Sequence, residues 1–214
     1  MNKLLKEQLI GIAKEKMPKD DPSHDINHAL RVLAISEKIA TAENADFDII
    51  VPSALFHDVI SYPKNHHKRL HSSKESAEFA KRILKNIESF PEDKIEKVYE
   101  SINLCSFTKG LKPNFLEGKI LQDADSIEAT GAVSIMRTFS SAGIMNKTFY
   151  DVLDPFCKKR EPNDNKYALD LFFTRLLVVQ SRLHTKTAKN IVKKRVSFLK
   201  VFLKELKVEL LENI

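Results

Sequence analysis

Hydrophobic and polar positions recur along most of this chain with the period of a helix. From residue 2 to 16, Leu5, Leu9 and Ile12 fall at spacings of four and three, with Leu4 widening the apolar stripe, so an amphipathic helix is expected there. The run DDPSHD breaks the pattern, with Ser23 or Asp21 placed to cap a second helix from about residue 24 to 42. Ile26, Leu30, Leu33 and Ile39 form much of its expected inner face. IIVPSALFHDV predicts a third helix in which Pro52 sits in the first turn or makes a kink.

SYPKNHHKRLHSS reads as a loop, KESAEFAKRILKNI as an amphipathic helix, and PEDKIEKVYESINLC as another with Pro91 near its start. Apolar periodicity resumes over residues 119 to 140, with KPNFLEG and KREPNDN as further breaks. The last 45 residues read as two long helices joined near LHTKT. No repeat or low-complexity tract interrupts the chain, which is expected to form one domain over residues 1 to 214 with its C-terminal helices, about 167 to 212, packed onto it.

Composition strengthens the helical reading. Five glycines and eight prolines in 214 residues leave few tight turns for a sandwich or barrel, so the expected class is all-α. No run of 18 apolar residues and no signal peptide is evident, and the two cysteines lack paired spacing; these features point to a cytoplasmic protein without a disulfide and without a membrane partner. Residues 158 to 214 hold 14 Lys and Arg against 6 Asp and Glu, whereas residues 1 to 157 hold 21 against 23. That basic C-terminal stretch raises nucleic-acid binding as an alternative, but no aromatic interleaving accompanies it, and a solvated helix face accounts for the charge.

The polar positions that violate the apolar pattern carry the chemistry. ALFHDVISY places His57 and Asp58 at the end of an apolar run, where an imidazole and a carboxylate without partners would cost several kcal/mol. Six of the seven histidines lie between residues 24 and 71. His24 and His28 are four apart, so a helix would stack them on one face, with Arg31 a turn beyond His28; His66 and His67, in a lysine-rich loop, read as solvent-exposed. In KILQDADSIEATGA, Asp123 and Asp125 interrupt an apolar helix two residues apart, and one of them can cap a helix start. His28, His57, Asp58 and these carboxylates offer mixed nitrogen and oxygen ligands that suit divalent manganese, iron, cobalt, nickel or zinc, with magnesium arriving alongside a substrate.

The pattern His28, His57-Asp58, Asp125, within HDINHALRV, ALFHDV and ILQDADSIEATGA, resembles the HD-domain metal-dependent phosphohydrolases. Through TFYDVLDPFCKKR and RLHTKTAKNIVKKRVSFLKVFLKEL, it is also similar along most of its length to a bacterial subfamily of stand-alone HD hydrolases, some of which cleave nucleoside triphosphates to monophosphates and pyrophosphate. The resemblance implies an all-helical HD domain in which His28, His57, Asp58 and Asp125 hold one divalent metal ion. Two departures limit what carries over. No acidic residue follows the HD pair in Val59 to Tyr62, and Cys105-Ser106-Phe107 stands where the subfamily often has His-Ser-Phe.

The function expected is metal-assisted hydrolysis of a nucleotide or related phosphoester or phosphoanhydride. Asp58 would ligate the ion and orient the water, with Asp123 as a supporting base or a structural cap. His24, Arg31, Lys64 and His71 would hold phosphates, Arg31 best by its fork of donors. The alternatives are a metal-binding but catalytically idle regulatory HD domain, to which Cys105 lends weight, and a basic helical nucleic-acid binder led by residues 186 to 207.

Overall fold

A computed structural model describes residues 1–18, 24–62, 66–106 and 109–211, and its regular structure is helical, as the composition led us to expect. Lys64, together with the expected caps Ser23 and Asp21, lies outside the described residues. Backbone contacts divide the chain into two compact units, Met1–Asp125 and Ser126–Ile214.

The first unit is organised around its most apolar helix. α1 (Lys3–Lys16) starts at Asn2, whose side chain accepts from the Leu4 amide, and buries Leu5, Leu9 and Ala13; Leu4 is exposed, so the stripe is narrower than its sequence suggests. α2 (Ile26–Glu43) is capped by Asp25, which accepts from the His28 amide at 2.9 Å, a contact worth about 1 kcal/mol. It ends where Asn44 turns left-handed at φ 55°. Its inner face is rotated from the expected one: His28, Ala29, Val32, Leu33, Ser36 and Ile39 are buried, whereas Ile26 and Leu30 are half-buried.

α3 (Phe47–Phe56) is buried from Ile49 to Phe56, which is why its sequence is apolar on every side. Asp46 caps it, and Pro52 lies in its interior rather than in its first turn. α4 (Ser72–Lys85), entered through a tight turn at Arg69–His71, packs against α5 (Ile95–Leu104), and α1, α2, α4 and α5 all contact α3. α6 (Leu116–Glu128) begins inside the KPNFLEG stretch that reads as a break.

In the second unit, α7 (Ala132–Ile144) begins after Gly131, whose φ of 84° is open to glycine and strained for other residues. Leu169, Phe172, Leu176 and Leu199 form its core, and Phe172 stacks on Phe202 with ring centroids 5.7 Å apart. The expected pair of long C-terminal helices is one long helix, α8 (Lys186–Leu211), preceded by a widened turn at Phe172–Leu176 and a tight one at Val179–Arg182. The apolar residues of this stretch gather into the core through irregular turns, so periodicity alone overstates its helix. Asp170, fully buried, anchors the loop before it: Arg160 donates to both of its oxygens at 2.5 and 2.8 Å, and the Asn163 amide adds a third bond at 2.6 Å. No described helix is long and apolar enough to cross a membrane.

Candidate metal centre

The HD pair sits one step beyond the helix on which its sequence places it. α3 stops at Phe56; His57 keeps helical dihedrals as the capping residue, and Asp58 lies in the turn that follows. The pair therefore diverges by turn geometry rather than by the angle between adjacent helical residues. His57 is buried, and its Nδ1 lies 2.8 Å from the Ala54 carbonyl oxygen. A carbonyl oxygen only accepts, so Nδ1 carries a proton and donates, which makes Nε2 the atom a neutral ring offers as a ligand.

That Nε2 faces the Nε2 of His28, 3.2 Å away, which reaches it from the first turn of α2. Two carboxylates complete the group. Asp58 Oδ2 is 3.5 Å from His28 Nε2 and 3.7 Å from His57 Nε2, and Asp125 Oδ1, from α6, is 3.7 and 3.9 Å from the same two nitrogens. His28, His57 and Asp125 each offer a ligand atom within 4.8 Å of the other two. Around an octahedral ion with bonds of about 2.1 Å, neighbouring ligands stand about 3.0 Å apart and opposed ones about 4.2 Å, which brackets these separations. One divalent cation placed among them would take both ring nitrogens as ligands and balance the two carboxylates.

The cluster has a closed side and an open one. Both imidazoles are buried, while the Asp58 and Asp125 side chains are 26% and 31% exposed, so a ligand approaches past the carboxylates. Burial penalises the Asp58 charge, but when protonated, His57, His28 and His24 outweigh it and hold the carboxyl well below the usual carboxylate range. Cys105, where the resemblance leads one to look for a histidine, is buried at the end of α5. Burial pushes its thiol well above the ordinary value, Asp58 and Asp125 push it further and Lys109 opposes them, so the group stays a neutral thiol.

The remaining candidates scatter. His24 precedes α2 rather than sharing its face with His28, yet the two rings meet edge to face at 5.9 Å. Arg31 is half-buried one turn beyond His28. His71 is exposed in the turn before α4. Asp123 is buried in the middle of α6, so it caps no helix start, and its spacing turns it about 200° from Asp125. His66 is no bystander: it stacks on Tyr62 at 4.8 Å and on His67 at 4.4 Å, while the Tyr62 hydroxyl donates to Glu75 at 2.7 Å. This clamp on the segment after the HD pair leaves no periodic trace in the sequence.

Residues 25–130 match the HD domain. The chain carries an HD domain over those residues. It is similar to YpgQ of Bacillus subtilis (strain 168), an uncharacterized protein, with 26% identity over 205 residues that cover 95% of this chain and 93% of YpgQ. The crystal structure of YpgQ in complex with ADP matches with a TM-score of 0.72 over 95% of this chain and 97% of that one. Lin1889 of Listeria innocua, 28% identical, matches with a TM-score of 0.71 over 98% of both chains. An HD-superfamily hydrolase from Bacillus thuringiensis, 26% identical, matches with a TM-score of 0.68 over 96% of both. The fold is that of the HD-superfamily hydrolases.

Proposed function

We propose that the protein is a metal-dependent phosphohydrolase acting on a nucleotide or a related phosphoester or phosphoanhydride. The observation that carries this reading is the convergence of His28, His57, Asp58 and Asp125 on one point with a half-exposed carboxylate side. The ADP in the YpgQ complex supports the nucleotide class.

In this reading His28 and His57 supply the buried nitrogen ligands, and the Ala54 carbonyl keeps the His57 ring in the tautomer that a ligand needs. A divalent cation bound there supplies positive charge that activates water and offsets charge building on the phosphoryl group. Asp58 accepts a hydrogen bond from the attacking water and fixes its direction. Asp125 is the fourth ligand, and Asp123 steadies α6 from its buried face. Arg31 grips phosphate oxygens with its fork, with His24, Lys64 and His71 as further phosphate contacts.

Release of phosphate or pyrophosphate from a panel of nucleoside mono-, di- and triphosphates, with and without manganese, tests the reading. Turnover of at least one nucleotide that stops on chelation is the expected result. Bound metal with no turnover of any member overturns it in favour of an idle metal-binding domain.

A further inference from the structure

The end of α5 and the stretch leading into α6 are each fastened to α6. Gln122 donates through Nε2 to the carbonyl oxygens of Leu104 at 2.5 Å and Leu111 at 2.8 Å. Gln122 lies three residues before Asp125, one turn away on the same helix, so the segment is held beside that carboxylate. Within it, Lys109 is half-buried, and its ammonium donates to Ser73 Oγ at 2.8 Å. That hydroxyl passes its own hydrogen to the Asn103 carbonyl at 3.3 Å, which fixes its lone pairs toward Lys109.

A single serine hydroxyl is a weak, neutral partner for a cation drawn partly out of water. Ser73 is the only side-chain partner of Lys109 among the described residues. It accepts one of three ammonium hydrogens, leaving two donors for a ligand. Lys109 lies between the two carbonyls that Gln122 holds and two residues before Leu111, so its charge belongs to the stretch fastened one turn from Asp125. An ammonium so placed, positioned but not neutralised, is suited to an anion beside the two carboxylates.

We propose that Lys109, steadied by Ser73, is a phosphate-binding residue of this site and grips a substrate phosphate oxygen. The inference rests on the hydrolase reading for its substrate, but not for its anion. Lys109 is a compact point charge, so it complements rather than duplicates the forked guanidinium of Arg31.

Calorimetric titration of the manganese-loaded protein with inorganic pyrophosphate tests it, alongside steady-state kinetics on whichever nucleotide the parent protein turns over. Lys109→Met is expected to weaken pyrophosphate binding on the order of tenfold and to raise KM by a similar factor, with metal content unchanged. Ser73→Ala, which keeps the charge but loosens it, is expected to have a smaller effect in the same direction, and it serves if Lys109→Met fails to fold. Failure of the parent to bind pyrophosphate overturns the proposal, as does binding by both variants as tight as the parent's. A parent that binds pyrophosphate through Lys109 but hydrolyses no nucleotide overturns the hydrolase reading alone.

Discussion

His28 and His57 present their Nε2 atoms to each other 3.2 Å apart, although 29 residues separate them in the chain. Two ring nitrogens so close need a shared proton or a cation between them. The Ala54 carbonyl assigns the proton of His57 to Nδ1, and Asp58 and Asp125 approach the same point with oxygen atoms.

Asparagine at position 125 and at position 123 should behave differently. Asp125 Oδ1 lies in the cluster, whereas Asp123 is buried about 200° around α6. Asp125→Asn is expected to lose bound metal and turnover together; Asp123→Asn is expected to keep the metal, with activity reduced about 10- to 100-fold if it supports the site. Metal content and kcat of both purified variants check this. Metal lost from Asp123→Asn and retained by Asp125→Asn would move the ligand by two residues.

Arg31 lies one turn beyond His28 on α2 and is half-buried. Lysine there retains the charge but not the two parallel donors, so Arg31→Lys should raise KM for a nucleotide several-fold at constant metal content. Arg31→Ala should raise it further. Kinetics for both variants matching the parent's would remove Arg31 from the substrate contacts.

Asp170 should make the stability of the second unit fall in acid. Burial raises its carboxyl, but the Arg160 guanidinium, the Asn163 amide and the Cys157 thiol together hold it below the ordinary value. A carboxyl depressed by folding stabilises the protein fully above its unfolded value, near pH 4, and the contribution fades as pH falls through the folded one. Asp170→Asn should therefore cost about 2–4 kcal/mol at neutral pH, because Arg160 is left with a weaker partner. Melting curves of parent and variant should converge below about pH 4. A gap independent of pH would mean that shape, not charge, holds the loop.

Much of this was legible in the sequence, for physical reasons that differ by element. α1, α4 and α8 each carry polar residues around an apolar stripe, so periodicity finds them. α3 is buried on all sides, and its boundary is set by the turn at Asp58, which the apolar run does not mark. The stretch 170–183 fills a core through irregular turns, so its apolar residues imitate a helix. His28, His57, Asp58 and Asp125 stood out because polar groups inside apolar runs need partners. Lys109, Ser73 and Gln122 did not, because their meaning lies in a tertiary contact between residues 36 apart and in two carbonyls. His66 was read as solvent-exposed for the same reason, since its stacking on Tyr62 has no period.

The account stands most directly on whether those four side chains hold a single divalent cation. Elemental analysis of the purified protein and of the double variant His57→Ala, Asp58→Ala, each equilibrated with manganese and freed of excess, measures it. The account predicts about one ion per parent chain and almost none in the variant, because removing one imidazole and one carboxylate leaves only two of the ligands. Full occupancy in the double variant would contradict it and place the metal elsewhere.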